Sequence, residues 1–121
     1  MKLYIVALGG SNFTKTITQM NSIQLKLDDQ NRGAFVIEEG DERLAEMVIA
    51  ISGQRLIVYH TEVSEKLRGQ GIAAKLLDQM VAYVRSKTLK VVPLCPYVLA
   101  QFKRHAELYN DIWDQNWKQS V

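Results

Sequence analysis

The 121-residue sequence contains a single cysteine, Cys95, and only two prolines, Pro93 and Pro96. One cysteine excludes an intramolecular disulfide and any zinc site built on paired cysteines. The two histidines, His60 and His105, stand far apart in the chain, so no metal is expected. The formal charge is only +2 and aromatics make up 8% of residues. A basic stripe with interleaved aromatics, the footprint of nucleic-acid binding, is therefore missing. No stretch approaches the roughly 20 apolar residues of a membrane span. The opening "MKLYIVALGG" has one lysine and a short apolar run. It is brief for a secretion signal, lacks a convincing cleavage site, and reads as structure. Nor is there an internal repeat, a low-complexity tract or a Pro/Gly-rich linker. These absences lead to the expectation of one soluble cytoplasmic domain, residues 1–121, with neither nucleic acid nor membrane as partner. The sequence sets no oligomeric state.

What is present suits a domain that folds unaided: 47% hydrophobic and 23% charged residues, with enough length to bury a core. Residues 1–21 read least clearly, with a short strand at Leu3–Leu8 and then a polar, turn-rich stretch. From Ile23 onward the pattern is sharper. "IQLKL" alternates apolar and polar, "DDQNRG" is a turn cluster, and "AFVIEEG" is a second strand closed by Gly40. The β-branched half of "ERLAEMVIAIS" predicts a strand near residues 45–51. After the turn "SGQ", "RLIVYHTEV" is the strongest strand signal in the chain.

Following Gly71, apolar residues at 72, 73, 76, 77, 80, 81 and 84 have helical spacing. "LKVVPLCPYV" reads as a short strand cut by its prolines, with Cys95 near its end. "YVLAQFKRHAELYNDIWDQNW" predicts one or two helices. The order is antiparallel strands, then β–α–β, then a terminal helix. That predicts an α+β fold with a mixed sheet and one right-handed crossover.

Between the strongest strand and the helix lies "HTEVSEKLRGQGIAAKLL". A P-loop needs Gly-Lys-Ser/Thr at the helix entrance, and here Ile72 follows Gly71. A dinucleotide fingerprint is formally matched by Gly69, Gly71 and Ala74, but its strand must run directly into the first glycine. "SEKLR" intervenes, and no acidic residue closes a following strand. The remaining design is Arg/Gln-x-x-Gly-x-Gly/Ala after a strand and a short loop, met by Arg68, Gly71 and Ala73. Small residues there let backbone amides and the helix dipole meet an anion. The alternative is a turn whose glycines merely permit a left-handed backbone.

With "HTEV", "LRGQGIAAKL", a helix, "KVVPLCPYV" and an aromatic-containing helix at these separations, the chain resembles the Gcn5-related N-acetyltransferases over about residues 23–112. More narrowly it resembles a small single-domain subgroup with a cysteine in the strand after the coenzyme-binding helix. That subgroup often has Pro-Glu-Tyr near its last helix, and "HAELYNDI" departs from it, which leaves Glu107 and Tyr109 without an implied role.

The resemblance implies a minimal acyl-CoA N-acyltransferase fold, with acetyl-CoA as co-substrate in an opening where the strand ending at Val63 and the strand holding Cys95 diverge. Glu62 and Val63 would pair with the pantetheine arm. Amides across Leu67, Arg68, Gly69, Gln70, Gly71, Ile72 and Ala73 would hold the pyrophosphate. Tyr97 and Phe102 would pack the core or the coenzyme, and Lys75, Lys103 and Arg104 would meet the 3′-phosphate or only solvent.

Three side chains are candidates for chemistry. Cys95 would accept the acetyl group as a thiolate or only line its pocket, unless it is simply a small buried apolar residue. His60 and Glu62 share a strand face. Glu62 is the candidate general base with His60 behind it, against the alternative of a hydrogen-bonded histidine and a solvated glutamate. The expected function is acetyl transfer to an amine on a small molecule or protein, through or beside Cys95. The alternatives are a non-catalytic coenzyme A-binding or acetyl-sensing module, and an interaction domain using an exposed tail with Trp113 and Trp117.

Overall fold

A computed structural model of the chain describes residues 22–117. The strand expected at Leu3–Leu8 lies outside them. Strands β1 (Gln24–Leu27), β2 (Arg32–Glu39), β3 (Glu42–Ser52) and β4 (Arg55–Val63) run antiparallel in sequence order. Helix α1 (Ile72–Lys87) then crosses over the sheet and returns the chain as β5 (Lys90–Pro93), parallel to β4. Two short helices follow, α2 (Pro96–Arg104) and α3 (Ala106–Tyr109). The architecture is the expected α+β one, a mixed five-stranded sheet in the order β1-β2-β3-β4-β5.

The apolar stripe of α1 explains why it lies on the sheet. Ile72, Leu76, Leu77, Met80, Val81 and Val84 are all buried, and they share one core with Phe35, Met47, Ile49, Leu56 and Val58 from the strands. Phe35 meets Tyr83 edge-on at 5.9 Å between ring centres. Each such large side chain stabilises the fold by about 1.5–3 kcal/mol relative to exposure. Phe102 of α2 joins this core, stacked on Tyr109 at 4.8 Å and tilted against Trp113 at 5.7 Å. Trp113 is thus half-buried, and it forms a β-bridge with Val91 on the outer edge of β5. This overturns the reading of Trp113 as part of an exposed tail.

One element differs in kind from expectation. The proline-bounded segment is not a strand through Cys95: β5 stops at Pro93, and Cys95 is the N-cap of α2. The reason is local. Pro96 sits in the first turn, where its fixed φ suits a helix and its missing N–H costs nothing.

Candidate functional site

The site begins where β4 outruns β5. Strand β5 pairs only with Arg55–Val58 of β4, and the last link is the Cys95 amide donating to the Val58 carbonyl at 2.9 Å. Beyond that point, among the described residues, β4 has β3 alone beside it, and β4 and β5 part. The ladder to β3 alternates. Ser64 N–H donates to the Leu44 carbonyl at 2.7 Å, so Glu62 and Glu46 form the next hydrogen-bonded pair. The N–H and C=O groups of Thr61 and Val63 therefore turn outward into the gap.

A β-bulge decides which side chains face where. On β3, Val48 pairs with His60 and the adjacent Ile49 with Val58, which leaves Tyr59 as an extra residue on β4. An extra residue reverses the alternation. Leu56 and Val58 face the helices before the bulge; Thr61 takes that face after it. His60 and Glu62, which an unbroken strand would have turned toward the core, are exposed on the opposite face.

After Val63, Ser64 caps a 3-10 turn over Glu65–Leu67, its Oγ accepting the Lys66 amide at 3.1 Å. Leu67 packs against the core. Arg68 is exposed and grips both carboxylate oxygens of Glu65 at 2.8 Å. Gly69 and Gly71 have left-handed φ of 80° and 67°, and Gly71 is the N-cap of α1 with no side chain capping the helix. Among the described residues, the amides of Gly69, Gly71, Ile72, Ala73 and Ala74 donate to no backbone acceptor. A Cβ built at Gly69 or Gly71 would meet no atom within 4 Å. Unpaired amides, a helix start and open space fit an anion. Gln70 and Ile72 border a cleft of about 150 Å³ beside this loop.

On the helix side of the gap, Cys95 is 1% exposed and its Sγ lies 3.5 Å from Thr61 Oγ1. Tyr97 is half-buried, and burial holds its phenol above the ordinary value, with Tyr109, Asp78 and Cys95 adding to the effect. Phe102 is fully buried in the core. Lys75 sits in the first turn of α1, and Lys103 and Arg104 are exposed at the end of α2.

On the other face, Glu46, His60 and Glu62 each bring a side-chain donor atom within 4.8 Å of the others. Beside them lies an open cleft of about 490 Å³, bordered by Arg43, Glu46, Glu62, Val63 and Ser64 among others. Glu46 is held by Arg43 at 3.1 Å and lies 3.4 Å from His60 Nε2.

The fold thus brings together His60 with Glu62, and Cys95 with Tyr97 and Phe102. It sets these two groups on opposite faces of β4. Sequence reasoning missed Thr61, Glu46 and Arg43. Strand pairing alone joins Glu46 to His60, and the bulge that turns Thr61 toward Cys95 has no mark in the residue pattern.

A profile of a family described as GCN5-related N-acetyl-transferase matches residues 34–112. Among solved structures, one similar chain is the ribosomal-protein-alanine N-acetyltransferase from Brucella melitensis biovar Abortus 2308. It has 20% identity and a TM-score of 0.51, over 78% of this chain and 69% of that one. The ribosomal-protein-S18-alanine N-acetyltransferase from Escherichia coli is 12% identical, with a TM-score of 0.48 over 73% of this chain and 52% of that one. The IAA acetyltransferase from Bacillus cereus ATCC 14579 is 18% identical, with a TM-score of 0.46 over 65% of this chain and 55% of that one. This chain therefore spans only about half the length of the latter two. A search of curated proteins by sequence gave no match.

Proposed function

The chain belongs to the GCN5-related N-acetyl-transferase family, and on that premise we propose that it binds acetyl-CoA and acetylates an amine on a small molecule or protein. The observation that supports this reading is the row of amides at Gly69 and Gly71–Ala74 that donate to no backbone acceptor among the described residues, next to the point where the pairing of β4 with β5 ends. The amides suit a pyrophosphate, with Arg68 free to exchange its exposed Glu65 contact for an anion. The outward N–H and C=O groups of Thr61 and Val63 suit a chain added alongside β4, a refinement of the pair Glu62 and Val63.

Bound acetyl-CoA supplies an activated acetyl group, whose C–S bond breaks as the N–C bond forms. The chain supplies position and proton transfer. Glu62 accepts the proton that an ammonium must lose before its nitrogen can attack, and His60 stands next to it. Cys95 lines the acetyl end of the gap: it is buried and in contact with Thr61, an environment that suits a packed thiol better than a relay nucleophile.

Isothermal titration of the intact chain with acetyl-CoA tests the reading. Binding that weakens at least tenfold in Gly71→Val is expected, because a β-branched residue resists left-handed φ. No heat of binding at millimolar acetyl-CoA would overturn it. Binding without transfer to any amine would leave the coenzyme-sensing alternative in its place.

A further inference from the structure

The expectation of no metal rested on two histidines far apart in the chain. The sheet assembles a different set of donors, from one histidine and two carboxylates on paired strands. Glu46 of β3 faces Glu62 of β4 directly, and His60 is the next residue on the same face. Their donor atoms lie within 4.8 Å of one another.

Three details distinguish this group from ordinary exposed acids. Arg43 holds Oε1 of Glu46 at 3.1 Å and also reaches Glu38, which is itself paired to Lys26 at 2.6 Å. This chain of ion pairs across three strands, β1 to β3, fixes the Glu46 carboxylate with Oε2 turned toward His60. The second detail is the Oε2–Nε2 separation of 3.4 Å. That is long for a hydrogen bond, whose usual N···O distance is about 2.9–3.0 Å. It matches a tetrahedral edge, since two donors about 2.05 Å from a zinc ion stand about 3.3–3.4 Å apart. The third detail is Glu62. Its neighbours Glu38, Glu42, Glu46 and Glu65 each have a cationic partner, while Glu62 has none among the described residues. Bringing its oxygen to the same edge length takes at most about 1.5 Å of movement, at the end of an exposed side chain.

We propose that Glu46, His60 and Glu62 form a binding site for a divalent cation of the zinc class, with water as the fourth ligand. Glu62 and the free oxygen of Glu46, whose other oxygen Arg43 holds, supply negative charge, and imidazole with carboxylate suits the ion's borderline softness. The open cleft beside Glu46 and Glu62 leaves room for water. A further consequence rests on the proposed function: an ion held there occupies Glu62, so it inhibits acetyl transfer by removing the proton acceptor.

Calorimetric titration of the intact chain with zinc, paralleled by cobalt titration in the visible range, tests the site without acetyl-CoA. One ion per chain and a tetrahedral cobalt spectrum are expected. Loss of binding in His60→Ala is expected, with about tenfold or greater weakening in Glu46→Gln and Glu62→Gln, and no change in His105→Ala. Zinc should also raise the melting temperature of the parent chain and not that of His60→Ala. All three ligands are at least partly exposed, and circular dichroism checks that the variants fold. No zinc binding, binding that survives His60→Ala, or an octahedral cobalt spectrum would overturn the site. Zinc that binds at these residues yet leaves acetyl transfer unchanged would overturn the inhibition alone. Failure of the proposed function shows instead as absent acetyl-CoA binding, in a separate titration.

Discussion

Glu62 and Cys95 stand on opposite faces of β4, and that placement gives them separable roles. Glu62→Gln keeps the backbone and removes only the proton acceptor. Its expected effect is a fall in kcat of about 10²-fold or more, with acetyl-CoA affinity unchanged, read by steady-state kinetics beside calorimetry. Cys95→Ala should keep transfer within about tenfold, because a buried lining thiol contributes packing and not bond formation. Mass spectrometry that finds an acetyl group on Cys95, passed on when amine is added, would contradict that. The residue scale is also where sequence reading reached least far. That His60 and Glu62 share a face follows from strand alternation, and they do. Which face is set by the bulge at Tyr59, a consequence of how β3 and β4 pair and not of any residue's own preference. Glu46 was out of reach for the same reason, since its neighbours belong to another strand.

Elements were far more legible. Strand β4 covers the segment expected, Arg55–Val63, and α1 opens at Ile72 straight after Gly71. Both carry strong local signals, β-branched alternation in one and a 3.6-residue apolar stripe in the other. Strand β3 starts at Glu42, three residues before the expected start, because Glu42 and Arg43 are exposed and ion-paired and give no apolar pattern. The end of α1 had no mark at all. Leu89 N–H donates to the Val84 carbonyl at 2.9 Å and Thr88 N–H to the Arg85 carbonyl at 3.3 Å, a Schellman-type closure with Thr88 left-handed at φ 57°. A β-branched residue is strained there. Thr88→Gly should therefore stabilise the protein by roughly 1 kcal/mol, measured by urea denaturation with unchanged m-value. Gly33 shows the opposite case. A Cβ at Gly33 would lie 1.8 Å from the Lys26 carbonyl oxygen, so alanine there must push β1 away from β2. Gly33→Ala is expected to cost about 1–3 kcal/mol and to speed amide exchange across Gln24–Leu27.

At the scale of the whole molecule, charge pairs rather than buried charges shape the response to pH, since no charged side chain is buried among the described residues. On the acid side, three carboxyls lie below their ordinary range. The Arg32 and Gln30 amides do this for Asp28, the Lys26 ammonium and then Arg43 for Glu38, and the Arg85 guanidinium for Asp111. A depressed folded-state value means stability that is present above the unfolded carboxyl range and lost as pH falls through the folded values, so the loss sets in below about pH 4. On the alkaline side burial raises Tyr97 and Tyr109. A raised folded-state value means stability present below the unfolded phenol value, about 10, and lost as pH climbs above it. A flat plateau of denaturation midpoints between those limits is the expected profile. The Asp111 link matters most for architecture, because Arg85 of α1 also donates to the Leu108 carbonyl at 2.7 Å and so ties α1 both to α3 and to the segment after it. Asp111→Asn should lower the midpoint at neutral pH and flatten the acid limb. Because the pair is exposed, the effect should shrink in concentrated salt. An acid limb as steep in Asp111→Asn as in the parent chain would show that this ion pair does not couple the helix to the C-terminal segment.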